Sequence, residues 1–416
     1  MNNSYLLTNA TIFDGENEDV IEGGHILVAD GVIRELGVGK TPSLQSARVI
    51  NCRGLTLMPG LIDAHVHLGA VEVDFGSQSR RLSSSLIAIL MIKRLEHFMK
   101  MGFTTLRDAG GADWGFKHAI NNGLVMGPDL VLSNRMLSQT GGHGDMRDRG
   151  ESAAQGHDCS THGMIFRIAD GISEVRQAVR EQVRLGADFI KVMASGGAAS
   201  PTDKLHQPQF SVEELKIIVE EAEMGGIYVA AHALPPSAIL RAVAAGARTI
   251  EHGNLLNEES AKAMSDAGTF LIPTVATYVM AARHPERYSH TPESKQKVSD
   301  AADGALKSLE IAHRHGISIG SGSDLLGEEI MWLTREFELK AEVLGNFQTL
   351  RSATSVNAKA INRNDIGVIE VGRRADIIGV KGNPLKNIEL LGDSEAISLV
   401  MKAGELQIEN IEVQLK

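Results

Sequence analysis

Cysteine is almost absent: the 416 residues contain two, Cys52 and Cys159, too few for a disulfide framework. Long apolar runs are missing as well. The longest, Leu86 to Ile92, falls far short of the ~20 residues needed to cross a bilayer. The first residues, Met1-Asn2-Asn3-Ser4-Tyr5-Leu6-Leu7, carry neither the basic segment nor the apolar core of a signal peptide, so a cytoplasmic location is expected. Positive charge is in deficit, with 41 Lys and Arg against 52 Asp and Glu. The resulting net charge of −11 argues against a nucleic-acid partner. No low-complexity tract interrupts the chain. What is present, 43% apolar and 22% charged residues, suffices for a sizeable core.

Both ends read as β. Tyr5 to Phe13 alternates, and Ala29-Asp30-Gly31 is a turn between two apolar runs, its Gly supplying a left-handed position. The C-terminal segments Ile366 to Ile369, Ala375 to Val380 and Leu399 to Gly404 have the same texture. Each end is too short to bury its own core, which predicts one small β-sandwich domain built from residues 1–58 and 363–416. Between them, short apolar strands alternate with amphipathic helices, the pattern of a parallel sheet. Eight strands are expected: Leu57 to Val66, Phe103 to Asp108, Leu130 to Leu132, Phe189 to Met193, Tyr228 to Ala231, Thr249 to Glu251, Phe270 to Pro273 and Ser318 to Gly322. Eight βα units over residues 59–362 predict an α/β fold of the (β/α)8 barrel (TIM barrel) type, with an open doubly wound sheet as the alternative.

Barrel chemistry sits at the C-terminal ends of the strands, so polar residues there carry information. The first strand ends Asp63-Ala64-His65-Val66-His67, and residues two apart share a strand face. A His-x-His pair alone matches surface and core histidines equally well. Lys191 lies inside the apolar run Phe189-Ile190-Lys191-Val192-Met193, where an unpaired ammonium is costly. Three readings fit it: a buried ion pair, a Schiff-base lysine, or a lysine carboxylated by CO2 that ligates cations. His232, His252 and Asp324 end the fifth, sixth and eighth strands, and each singly reads as a packed polar residue. Together, four His, one Lys and one Asp at the ends of five strands point to a metal cluster for Zn, with Fe or Mn also suited.

The order H-x-H, K, H, H, D resembles the binuclear amidohydrolase superfamily. The wider text L-M-P-G-L-I-D-A-H-V-H, G-F-T-T-L-R-D-A-G-G, L-S-Q-T-G-G-H-G, I-K-V-M-A-S-G-G, T-I-E-H-G-N and A-D-I-I-G-V-K-G-N-P-L resembles its imidazolonepropionase-related branch, with bacterial Xaa-Pro dipeptidases (prolidases) and arginine or lysine carboxypeptidases. The resemblance spans nearly the whole chain. It implies two divalent cations, the more buried one held by His65, His67 and Asp324, the second by His232 and His252, with carboxylated Lys191 bridging both. It further implies a bridging hydroxide as nucleophile and Asp324 as proton carrier to the departing nitrogen. His143 becomes a substrate contact, to the reacting carbonyl or a terminal carboxylate; otherwise it is a loop histidine. Tyr228, on the face of His232, is a candidate for a substrate carboxylate or a barrel-core tyrosine, and Tyr278 is a weaker one. Arg107 and Asp108 read as a structural pair, and Ser195-Gly196-Gly197 as a close backbone approach beside Lys191 or a simple turn.

Deaminases of the superfamily are disfavoured, because Pro235 stands where they carry a Glu and Lys191 is present. The expected activity is cleavage of a dipeptide or N-acyl amino acid by a homo-oligomeric enzyme. Two rivals are an amidase or carbamate or urea hydrolase and a metal-free binding protein, the latter opposed by the intact ligand set. The loop Gly144 to Phe166, with Asp145, Arg147, Asp148, Arg149, His157 and His162, departs from the relatives and is the region expected to set the substrate.

Overall fold

Alternation at the N-terminus becomes an antiparallel meander of Tyr5–Ile12 (β1), Ile21–Ala29 (β2) and Val32–Val38 (β3). The computed structural model describes residues 4–40, 47–147, 149–151, 163, 166–200, 202–288 and 292–411. Asp30 (φ 53°) and Gly31 (φ 77°) make the β2–β3 turn, both left-handed as a two-residue hairpin loop requires. Arg48–Asn51 (β4) and Leu55–Pro59 (β5) run parallel to β1.

The expected strand Leu57 to Val66 is two strands. It divides at Gly60: β5 stays in the terminal sheet, while Leu61–Val66 (β6) opens a parallel one. A Cβ at Gly60 would lie 2.2 Å from Thr104 Oγ1, so only glycine permits the close crossing. β6 pairs with Phe103–Asp108 (β7), and β7 with Asp129–Leu132 (β8). A second parallel sheet contains Met136–Ser138 (β9), Phe166–Ile168 (β10), Phe189–Met193 (β11), Tyr228–Ala233 (β12), Thr249–His252 (β13) and Phe270–Ile272 (β14), in the order β10-β9-β11-β12-β13-β14. β9 and β10, three residues each, are too short to leave a periodic signal.

Backbone bonds also cross the gaps between these sheets. Asp188 N donates to Leu132 O at 2.7 Å, beside β8. Ser318 to Gly322 forms no ladder strand, yet Gly320 N donates to Leu271 O at 2.8 Å and Ala64 N to Ser321 O at 2.9 Å. That segment therefore lies between β14 and β6. At the far end, Ile377–Lys381 (β15), Ile397–Lys402 (β16) and Glu405–Glu409 (β17) return to the first sheet, β15 pairing with β5. The result is an eight-stranded sheet drawn from both ends of the chain, around Leu7, Ile26, Leu57, Ile377 and Met401.

Helices follow the parallel strands as the periodicity anticipates. Val212–Met224 carries a capping box of Ser211 and Glu214, and Pro236–Ala245 ends at Gly246 in the left-handed conformation. Arg335–Arg351 runs through a break at Gly345 (φ 75°) into a π-helical turn, Ser352–Val356. No helix among the described residues is long and apolar enough to cross a membrane.

Candidate active site

Strand β6 delivers His65 and His67 to one end of the parallel sheets, and each imidazole is oriented from behind. His67 Nδ1 donates to Gly110 O at 2.9 Å, and His65 Nδ1 to Glu251 Oε2 at 2.6 Å. With the proton of each ring on Nδ1, the lone pair is on Nε2, which suits a cation. Both Nε2 atoms face Asp324 Oδ1, at 3.7 Å from His65 and 3.5 Å from His67. One ligand atom from each of these three residues lies within 4.8 Å of the others, a spacing able to hold a metal ion.

The other expected ligands converge on the same place. Lys191, in β11, puts Nζ 3.2 Å from His65 Nε2. The ring of His252, at the end of β13, lies 4.9 Å from that of His65 and 4.6 Å from that of His232, which comes from β12. His232 Nε2 donates to Gly196 O at 3.2 Å, so its free nitrogen is Nδ1. His252 (φ 73°), Thr274 (φ 45°) and Asp324 (φ 50°) all adopt left-handed backbone where their strands end. Such strain in non-glycine residues persists only where the surroundings enforce it. Here the turns swing the His252 ring onto Thr274, whose Oγ1 is 2.7 Å from Nδ1, and aim Asp324 at the histidines.

Burial dominates the electrostatics. His65, His232 and His252 are held well below the ordinary histidine range by desolvation first, then by neighbouring positive groups, Lys191 among them. The same causes bring His67 down to about 3. Neutral imidazoles are the form that ligates metal. Burial also lowers the Lys191 ammonium to about 8, against the pull of Glu251 and Asp324, and raises the Asp324 carboxyl to about 7 despite Lys191.

Glu251 is a residue of the site that the strand-end pattern does not single out. It is fully buried and accepts two 2.7 Å bonds from Arg107, whose guanidinium also reaches Thr249 Oγ1 at 3.0 Å. A charged residue in an apolar strand is the available cue, the same one that marks Lys191. Asp108 accepts from the backbone N–H groups of Leu68, Gly110 and Ala112, shaping the loop after His67. Arg107 and Asp108 thus support the site from below and do not enter it.

His143 stacks on His232 with ring centroids 4.4 Å apart. Tyr228 lies elsewhere: it begins β12, stacks on Phe189 at 5.5 Å, and packs with Ile361 and Ile366. Its hydroxyl is buried outside hydrogen-bond geometry. Four residues of strand separate it from His232 by ~13 Å, so sharing a face does not bring it to the same end. Tyr278, on the helix Val275–Arg283, is the tyrosine beside the cluster, its ring 5.5 Å from that of His252. In the loop after His143, Arg147 pairs with Asp145 at 2.5 Å; Asp148, His157 and His162 fall outside the described residues.

The amidohydrolase family model matches residues 56–406. The chain belongs to the amidohydrolase family. A solved prolidase complexed with N-methylphosphonate-L-proline is 42% identical, with a TM-score of 0.93 over 98% of this chain and 100% of that one. A Xaa-Pro dipeptidase with methionine bound in its active site is 28% identical, with a TM-score of 0.88 over 97% and 100%. Ochratoxinase of Aspergillus niger is 31% identical over 366 residues, 84% of this chain and 75% of that protein. With such relatives this amidohydrolase is a hydrolase acting on amide bonds. Divalent metals are general in the family, and His65, His67 and Asp324 form the candidate site for one here.

Proposed function

We propose that the protein is a binuclear metal-dependent amidohydrolase that cleaves a dipeptide or N-acyl amino acid, in the manner of a Xaa-Pro dipeptidase or carboxypeptidase. In this reading residues 59–362 form a (β/α)8 barrel, closed by Ser318 to Gly322 between β14 and β6, with 1–58 and 363–416 folding over as a β-sandwich. The observation that carries the proposal is the convergence of His65, His67 and Asp324 within 4.8 Å, with Lys191 Nζ 3.2 Å from His65.

The donor set fits two divalent cations, most readily zinc. His65, His67 and Asp324 would hold one, His232 and His252 the other, with Lys191 between them as its carboxylate. Such a pair of cations lowers the pKa of bound water and polarises the scissile carbonyl. The residues do the remainder. Asp324 takes a proton at Oδ2 and hands it to the departing nitrogen. Glu251 and Gly110 O lock the ligand rings, and His143 contacts the substrate beside His232.

The test is a library of Xaa-Pro and other dipeptides, N-acyl amino acids, aryl amides and carbamates, assayed on zinc- or manganese-loaded protein. Cleavage of dipeptides or N-acyl amino acids is the expected result. Turnover confined to aryl amides or carbamates would replace this reading with an amidase.

A further inference from the structure

The segment Ser318 to Gly322, which leads to Asp324, forms no ladder strand, and three buried side chains take up backbone groups that a ladder would pair. Asn357 Oδ1 accepts from Ser321 N at 3.0 Å, and its Nδ2 donates to Ser321 O and Ile62 O, both at 2.7 Å. Lys340 Nζ donates to Gly320 O at 2.6 Å. Asp63 Oδ1 accepts from Ser323 N at 3.1 Å and from His65 N at 3.0 Å. Beyond them, Asp324 N donates to His65 O at 2.9 Å. Two glycines permit the close packing. A Cβ on Gly320 would collide with Asn357 Oδ1, and one on Gly322 would lie 2.6 Å from His65 Cβ.

Of the three, only Asn357 comes from outside both strands and bonds to both. It joins Ile62 and Ser321, three residues before His65 on one strand and three before Asp324 on the other. Its amide has one orientation here, since the Ser321 N–H only donates and the two carbonyls only accept. The local helix explains how it arrives. Asn357 follows the π-helical turn Ser352–Val356, which opens on Ser352, a second acceptor for Lys340 Nζ at 2.5 Å. Residues five apart in an α-helix point about 140° from one another. The i→i+5 bonds of a π turn return them towards one face. Ser352 and Asn357 thus both serve the segment before Asp324, whereas Ser355 of the same turn donates to Gly15 O, between β1 and β2, at 2.7 Å.

We infer that Asn357 is a positioning residue for the candidate metal site. It holds the Asp324 segment against β6 and so sets the place of Asp324 Oδ1, 3.7 Å from His65 Nε2 and 3.5 Å from His67 Nε2. The bearing on the metal rests on the proposed centre; the hold on the segment does not.

The experiment compares Asn357→Asp and Asn357→Ser with the wild type, each as the full chain, with Ser355→Ala as control. Asn357→Asp keeps the acceptor for Ser321 N but turns an oxygen towards the carbonyls of Ile62 and Ser321. Asn357→Ser is too short to span both strands. Hydrogen exchange followed by mass spectrometry without added metal is expected to be roughly tenfold faster across residues 318–324 in both variants, and unchanged across β12. Loaded with Co²⁺, both are expected to show an altered visible spectrum and an affinity lower by about 10- to 100-fold. Ser355→Ala is expected to lower the denaturant midpoint while keeping the cobalt spectrum and affinity of the wild type. Should Asn357→Asp not fold, Asn357→Ser carries the test. Unchanged exchange across 318–324 in Asn357→Ser, or a cobalt spectrum and affinity equal to those of the wild type, overturns the inference. So does a Ser355→Ala variant that alters the cobalt spectrum equally. If the wild type binds no cobalt, the proposed centre fails, and the exchange comparison alone decides whether Asn357 holds the segment.

Discussion

Glu251 Oε2 lies 2.6 Å from His65 Nδ1, although the two residues are 186 apart in the chain and both side chains are fully buried. The same carboxylate grips Arg107, which reaches it from β7. Orientation of a candidate ligand and neutralisation of a buried guanidinium therefore depend on one side chain.

Replacing Glu251 by Gln should show both dependences. Arg107 is left buried without its counter-charge, a loss of about 3 kcal/mol or more. The His65 ring loses its ionic acceptor, and metal affinity should fall on the order of 10- to 100-fold. Denaturant midpoints and zinc titration check the two effects; a variant unchanged in either measure would contradict the role given to Glu251.

Lys191→Ala is expected to abolish binding of a second cation and with it activity. The lysine is 1% exposed, and its Nζ lies 3.2 Å from His65 Nε2. Metal analysis that finds two retained ions per chain in the mutant would remove Lys191 from the ligand set.

Asp324→Asn keeps the volume of the side chain but gives up its proton-carrying capacity. Turnover should drop by about 10²- to 10⁴-fold while circular dichroism stays native. Near-normal turnover would exclude Asp324 as the proton carrier.

Asp376, where β15 joins the terminal sheet, supplies a pH dependence remote from the cluster. Burial raises its carboxyl from 3.8 to about 6, against the lowering effect of Arg374. Between those values the folded state binds more protons than the unfolded one, so this group's contribution to stability falls as pH rises from about 4 to 6. The change amounts to roughly 3 kcal/mol. Asp376→Asn should flatten that slope, as measured by urea midpoints across the interval; an identical slope in the mutant would refute the assignment.

Periodicity and turn chemistry make most elements legible in the amino-acid sequence. Helix Val212–Met224 is visible there with its capping box, and β7 and β11 with their bounds. Pattern fails where strands are short or change partners. β9 and β10 have three residues each, and the run from Leu57 to Val66 divides at Gly60 because Thr104 crosses it closely. Strand alternation reports a side chain's face but not its height along the strand, so it does not reveal that Tyr228 stacks on Phe189 while Tyr278 lies beside His252.

The sequence by itself determined which residues could form the cluster, because His65, His67, Lys191, His232, His252 and Asp324 each end or interrupt a recognisable apolar strand. It also determined the order of those strands. Only the tertiary structure decided how the residues are presented: Glu251 behind His65 and Gly110 O behind His67. Local pattern encodes secondary structure, whose hydrogen bonds lie a few residues apart. A ring's tautomer and aim are set by the atom packed against its far side, and in His65 that atom comes from a residue 186 positions away.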